Sequence, residues 1–244
     1  MNYITKPEVI SNYYSRRIQG SCEGFRKEIL NLLKSYSIKA DKLLDAGGSN
    51  GSFTLSIAET VEAKEIWIAD ISELALQQAR EKGINTVRVD LSTENLPFPS
   101  ESFDMISAID LIEHLFDPDH FLREAHRVLR KRGFLVLTTP NLAFWGNRIL
   151  LLLGYQPLMS EASTEFAAGY LFVPKGFNPA GHIRLFTLRA LKDLLRANGF
   201  TIIAERGLRG TVKNPILRAF DKLFSLRTSL AMGIGILASK EVGR

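Results

Sequence analysis

Cysteine is almost missing from this chain of 244 residues: Cys22 stands alone, so no disulfide can close within it. That excludes a cross-linked secreted scaffold and fits a reducing, cytoplasmic setting. Long apolar runs are missing too. The longest, "RILLLLGY" and "SLAMGIGILAS", fall well short of the ~20 residues a spanning helix needs. The opening "MNYITKPEVISNYYSRR" lacks the apolar stretch of a secretory signal. The four histidines and the one cysteine show no ligand spacing, such as i and i+4 on one helix, so no metal is expected. Repeats and low-complexity segments are absent. Neither sign of charge dominates: 31 Lys and Arg stand against 26 Asp and Glu, for a net charge of +5. Such a mild excess suits an anionic ligand, a membrane surface or nucleic acid and selects none of them.

What is present is an ordinary globular composition, 45% hydrophobic and 23% charged, on a chain long enough for one large domain with a sizeable core. Strand and helix patterns alternate, which predicts a parallel sheet covered on both faces. Helical periodicity marks 24–37, "SFTLSIAET", "ELALQQAREKG" closed by Gly83, 118–130 and 187–200. On 118–130 the apolar face is Phe121, Leu122, Ala125, Val128 and Leu129. Strand patterns mark 42–46, 65–70, 85–90, 103–110, 133–140, "TIIAERG" and "AMGIGILASK". Residues 141–183 break the rhythm. They are aromatic, Gly- and Pro-rich and too long for a simple connection, so they read as a lid or substrate insertion within a single domain over 1–244. A second irregular piece separates the last two strands.

The chemistry concentrates in "KLLDAGGSNGSF". A buried strand ends in Asp45, and Gly47, Gly48 and Gly51 then let the backbone turn sharply and approach a ligand. The spacing is not the G-x-G-x-x-G of a dinucleotide site, and an acid ahead of the loop would repel a pyrophosphate. It suits an ammonium or sulfonium. Asp70 ends the second strand, where a carboxylate accepts ribose hydroxyls. Asp90 ends the third, where one accepts from an adenine amino group. Together they describe a pocket for a cationic nucleoside without phosphate, as S-adenosylmethionine is. Singly, each acid reads equally well as a helix cap or turn residue.

In these stretches the chain resembles the class I S-adenosylmethionine-dependent methyltransferases, closely over about residues 40–140. "LLDAGGSNGSF" stands where that family has D-x-G-x-G-x-G, with Ser49 in place of the middle glycine. "IWIADIS" matches its ribose-binding strand end, and the stretch from "VRVDLSTENLPFPSESF" to "AIDLIEHLFDPDHF" is similar to the subgroup holding ubiquinone-pathway O-methyltransferases and many small-molecule enzymes. The resemblance implies a Rossmann-like, doubly wound, mostly parallel seven-stranded α/β sheet with an antiparallel last strand. It implies S-adenosylmethionine as cofactor. It also implies roles: Asp45 and Gly47 beside the methionine part, Gly48, Ser49 and Gly51 as close backbone, Asp70 on the ribose, Ile71 on the adenine, Asp90 and Leu91 at the adenine edge, and Asp110 facing the methionine part or the acceptor.

Methyl transfer to a hydroxyl needs a proton removed, and histidine suits that near neutral pH. His114, four residues past Asp110, and His182, at the end of the insertion, are the candidates; orienting a loop is the rival role for His114. His120 and His126 read as structural. The acceptor expected is a small molecule or a lipid- or glycan-linked one, with oxygen the first choice of atom; "AIDLIEH" suits an oxygen or carbon acceptor, or a carboxylate. The alternatives are an RNA- or protein-methylating enzyme and a non-catalytic cofactor-binding protein on the same fold. The absence of "NPPY" or "DPPY" disfavours exocyclic base amines, and "RVLRKRG" reads as a solvated helix end, so no nucleic-acid site is expected. Residues 214–230 place Ile216, Leu217, Phe220, Leu223 and Phe224 on one helical face, with Arg218, Asp221, Lys222 and Arg227 elsewhere. That face either packs on the sheet or rests on a membrane as a peripheral contact. The oligomeric state is left open.

Overall fold

The structure is a computed structural model that describes residues 23–173, 179–210 and 214–241; Cys22 and Phe177 lie outside the described residues, as do the side chains of Ile216 and Leu217. Its elements run α1 (Glu23–Ser35), β1 (Lys42–Ala46), α2 (Ser52–Val61), β2 (Glu65–Asp70), α3 (Glu73–Arg80), β3 (Asn85–Arg88), β4 (Phe103–Ile109), α4 (Pro118–Val128), β5 (Leu129–Pro140), α5 (Trp145–Leu152), α6 (Leu188–Ala197), β6 (Phe200–Leu208), α7 (Pro215–Phe224) and β7 (Gly233–Lys240). Single 3-10 turns sit at Ile112–His114 and Thr228–Leu230.

The seven strands form one sheet in the order β3-β2-β1-β4-β5-β7-β6. β1 to β5 pair in parallel, while β7 runs antiparallel to both β5 and β6. This is the expected doubly wound sheet with its antiparallel last strand. Alternating side chains feed two cores. On one face Leu43, Met105 and Val136 meet Phe25, Ile29 and Leu33 of α1 and Ile57 and Val61 of α2. On the other, Leu44, Ile106 and Leu135 meet Phe121, Leu122 and Val128 of α4 and Leu191 and Leu195 of α6. Leu44 is fully buried, and truncating such a residue to alanine costs about 2–5 kcal/mol.

Short-range chemistry sets the helix starts. Ser72, Asp117 and Thr187 accept the Ala75, His120 and Ala190 N–H groups, and Pro118 fills the first position of α4. Two boundaries differ from the sequence reading. β3 stops at Arg88, because Asp90 turns the chain by accepting Ser92 N–H at 2.9 Å while its own N–H donates to Glu94. α4 stops at Val128, so Leu129 and Arg130 belong to β5. The basic run is therefore a helix end joined to a strand: Arg127 pairs with Glu124 and Arg130 with Asp104.

The strand order reverses between β1 and β4, so a crevice opens past their carboxyl ends. The described parts of the 141–183 segment contain α5, and the chain just past its end meets the turn after β4, where Ile183 and Arg184 N–H donate to Glu113 O. Two buried asparagines tie the segment down. Asn141 donates to the Ser229 and Ala231 carbonyls, and Asn147 donates to Leu142 O and accepts Leu158 N–H. Among the described residues no helix is long and apolar enough to cross a membrane.

Candidate active site

The loop after β1 takes positive φ at every second residue: Gly47 at 72°, Ser49 at 51° and Gly51 at 76°. Ser49 thus stands at a left-handed position that favours glycine, a mild strain the loop carries. Two carboxylates hold it. Asp45 is buried under the loop, where its carboxylate accepts Thr54 Oγ1–H at 2.5 Å and Ser107 Oγ–H at 2.7 Å. A Cβ on Gly48 would come within 2.8 Å of that carboxylate, which is why glycine is needed there. Burial pushes the Asp45 carboxyl up to about 6, the Thr54 and Ser107 hydroxyls pull it back, and the neighbouring Asp70 adds to the rise. Asp70 accepts Ser49 N–H at 3.0 Å and Ser72 N–H at 2.8 Å. Burial raises its pKa too, against these N–H groups and that of Ile71. The Ser49 hydroxyl is buried with no hydrogen-bond partner among the described residues.

Ile71 is half-buried just past Asp70, and Leu91 is buried just past Asp90. Asp90 lies one strand further along the same edge, half-buried. The sheet therefore brings Asp45, the glycine loop, Asp70 and Asp90 to one rim, as the sequence reading expected of a nucleoside pocket.

The opposite wall is the segment after β4. Asp110 sits at φ 49° and accepts Thr138 Oγ1–H at 2.6 Å. Burial raises its pKa, while Thr138, His182 and Arg26 act against the rise. Arg26 reaches the site from α1, stacked on Phe53 at 5.2 Å. Glu113 is fully buried, and neither of its carboxylate oxygens has a hydrogen-bond partner among the described residues. Burial raises its pKa well above the usual carboxylate range, and the Asp110 charge adds to this. The Thr139 hydroxyl is near enough to favour the ionised form slightly but is not aligned to donate.

The two histidines singled out in the sequence meet. The rings of His114 and His182 lie 4.9 Å apart, centroid to centroid. His114 Nδ1 is 3.1 Å from Gly181 O, and His182 Nδ1 is 2.9 Å from Met159 O. The insertion delivers His182: Ile183 and Arg184 N–H both donate to Glu113 O, and Glu161 accepts the Ala180 and His182 N–H groups. Burial pushes the Glu161 carboxyl up, but the His182 ring and these N–H groups outweigh it and hold it below its ordinary value. His120 and His126 stand apart, on Glu94 O and against Phe200. Glu113, Glu161, Arg26 and Thr138 carried no mark in the sequence. Only "IEH" hinted at the first.

The described aromatics of the insertion scatter. Phe144 is buried, Trp145 stacks on Phe224 of α7 at 5.4 Å, and Phe166 and Phe172 point to solvent.

A family model described as a methyltransferase domain matches residues 14–205, well over half of the chain. A rice (Oryza sativa subsp. japonica) 2-methyl-6-phytyl-1,4-hydroquinone methyltransferase is 34% identical over 131 residues, covering 52% of this chain and 37% of the relative. A Mycobacterium tuberculosis protein named as an S-adenosylmethionine-dependent methyltransferase is 28% identical over 177 residues, 72% of this chain and 63% of that one. The chain thus spans little more than a third of the length of the plant relative. Among solved structures, a Thermotoga maritima S-adenosylmethionine-dependent methyltransferase superposes with a TM-score of 0.57 at 20% identity, covering 89% of this chain and 90% of that one, which shows the fold.

Proposed function

Since the chain belongs to the class I S-adenosylmethionine-dependent methyltransferases, we propose that it moves the methyl group of that cofactor to an oxygen of a small acceptor bearing an apolar chain. One observation carries this reading: the strained glycine loop, tied down by Asp45 and Asp70, opens at the switch point opposite the His114–His182 pair. The residues fit the cofactor. The rim holds carboxylates, Gly48 keeps the backbone within reach, and the Ser49 hydroxyl, buried with no partner among the described residues, suits a polar group of the ligand. Asp70 takes the ribose hydroxyls on the lone pairs its two N–H bonds leave over. Asp90, Ile71 and Leu91 hold the adenine. Gly47, Gly48, Ser49, Gly51, Asp45 and Asp110 surround the methionine part.

The cofactor supplies an electrophilic methyl on a sulfonium, with a neutral thioether as leaving group. The protein's task is alignment in a dry site and removal of the acceptor's proton. A carbonyl oxygen only accepts, so the His182 Nδ1 facing Met159 O must carry the ring proton, and Nε2 is left as the proton acceptor. His114 is fixed in the same way on Gly181 O. A phenolate is nucleophilic at oxygen and at the adjacent ring carbon, so one base serves either outcome. The rice relative acts on a phytyl hydroquinone by name, and a Neisseria meningitidis relative is named as a ubiquinone/menaquinone C-methyltransferase. Both support a quinol-type acceptor. Incubation with methyl-labelled S-adenosylmethionine and prenylated quinols should label the quinol, and fragmentation would separate oxygen from carbon. Label appearing only in RNA or protein of a cell extract would sink the proposal.

A cytoplasmic protein acting on such an acceptor needs access to a bilayer surface. α5 and α7 favour this. They pack through Trp145, whose Nε1–H donates to the buried Asp221, and turn Leu152, Leu153, Phe220 and Leu223 outward. Among the described side chains of α7, Asp221 is buried while Phe220 and Leu223 are exposed, the reverse of what a helix packed on a sheet shows. Exposed Arg218, Lys222 and Arg227 border the patch and suit anionic lipid.

A further inference from the structure

The structure assigns a divalent transition-metal site to Glu113, His114 and His182, and we propose that the protein binds such an ion there. One ligand atom from each of the three residues lies within 4.8 Å of the others. Ligands held at about 2.0–2.2 Å from a common ion stand about 3–3.5 Å apart, so the set closes if its members draw in by about 1–2 Å.

Three features make this more than proximity. Glu113 is fully buried with both carboxylate oxygens unpartnered among the described residues, in a place where an uncompensated polar group is costly. A cation is the natural complement. Both imidazoles are held by backbone: the His114 and His182 Nδ1 atoms face the carbonyls of Gly181 and Met159, and for His182 this makes Nε2 the lone-pair nitrogen. A backbone carbonyl behind the ring is the usual support of a metal-bound histidine. Glu161 adds a carboxylate 3.4 Å from His182 Nδ1, a further outer partner. Two imidazoles and one carboxylate suit zinc, manganese, iron or cobalt better than magnesium or calcium, which prefer all-oxygen sets. Three protein ligands leave coordination positions open, as catalytic sites do.

The sequence reading expected no metal because it looked for helical or short-range spacing. Here two ligands are adjacent in the chain and the third arrives from the far end of the insertion. Use of the ion as a Lewis acid on an acceptor hydroxyl rests on the functional reading above and would replace His182 in promoting loss of the acceptor's proton, because the ion occupies the Nε2 lone pair. Binding of the ion does not rest on that reading.

The test uses tag-free, chelator-stripped full chain. Zn2+, Mn2+ and Co2+ are titrated in separately by calorimetry, with visible absorption followed for cobalt, and S-adenosylmethionine is titrated into the same preparation. One equivalent of metal is expected, with cobalt bands of a nitrogen–oxygen site. Glu113→Gln and His182→Gln should each weaken binding at least tenfold, and Glu161→Gln about tenfold. His182 lies on the insertion, so its variant reports even where Glu113→Gln does not fold. No binding of any of the three ions, or binding undiminished in His182→Gln, overturns the site. Cofactor binding without metal binding would leave the methyltransferase reading standing and remove the metal. Metal binding without cofactor binding would do the reverse.

Discussion

Asp45→Asn should make this protein more stable at neutral pH and less so, relative to the parent, as pH falls. Burial raises the parent carboxyl from 3.8 to about 6, roughly two units, or about 3 kcal/mol. The sign follows from proton counts. Between the unfolded and folded values the native state holds the extra proton, so the group's contribution is intact below about pH 4 and is lost as pH rises through 6. Above that, the charge sits in the core at nearly the full cost. Asparagine has the same shape and no charge, and the Thr54 and Ser107 hydroxyls can rotate to serve its amide. Those bonds weaken on losing the charge, which takes back about 1 kcal/mol or more. The net gain at pH 7.5 is then about 1–2 kcal/mol, and the gap between the two proteins' urea curves should widen by about 2 kcal/mol between pH 4.5 and 7.5. A constant gap, or a variant that loses stability at pH 7.5, would refute the account. Cofactor titration supplies the second half. A buried charge kept at a stability cost makes sense if it meets the ammonium of the methionine part, so the more stable variant should bind S-adenosylmethionine more weakly.

The other expectations are as concrete. Asp70→Ala should weaken cofactor binding by about 1–3 kcal/mol in calorimetry, the cost of unpaired ribose hydroxyls and a loosened Ser49 N–H; unchanged affinity would remove the ribose assignment. Replacing residues 155–180 by a short linker, sparing Asn141 and Asn147, should leave cofactor affinity nearly intact and abolish turnover, because it removes Glu161 and Met159 from behind His182. Loss of cofactor affinity in a folded variant would show that the segment closes the cofactor site instead. Phe220, 48% exposed, can be changed to Glu with little effect on the thermal midpoint. That change should abolish flotation with phosphatidylglycerol vesicles, which in the parent is expected at low salt and lost at high salt; flotation that persists would refute the membrane contact.

The sheet was legible in the sequence because each strand announces itself locally. "KLLDA" and "EIWIAD" are apolar runs stopped by an acid, and they match β1 and β2 residue for residue. The acids themselves carried a double meaning that no spacing resolves. Asp70, Asp90 and Asp117 each accept an N–H two or three residues ahead, the bland turn-and-cap role, and Asp70 also holds the glycine loop from the neighbouring strand. A carboxylate at a strand end can cap the turn and still have lone pairs left for a ligand, so position alone does not separate the two roles. The β3 boundary was misplaced for that reason: the acid taken as the strand's last residue is the one that bends the chain away.

The acceptor side was illegible for a different reason. His114 and His182 were chosen by residue type, and what joins them is a path through the insertion: Asn147 on Leu158, Met159 O on the ring, Glu161 on two N–H groups, and Ile183 and Arg184 N–H on Glu113 O. No periodicity encodes that path, because each of its contacts joins residues from different segments. Glu113 was hidden more deeply. Flanked by Ile112 and His114 in a 3-10 turn, it looks like any polar residue after a strand, and only its full burial without a partner marks it. The same holds for α7. Its periodicity did not say which way the stripe faces: Phe220 and Leu223 are exposed, while Phe224 stacks on Trp145 of the insertion and Asp221 accepts from the same ring. The glycine-loop half of this molecule is thus written in local sequence, while the half proposed to meet the acceptor is written in how one long insertion lies down. On that proposal, acceptor choice can change along the insertion while the glycine loop and its carboxylates stay as they are.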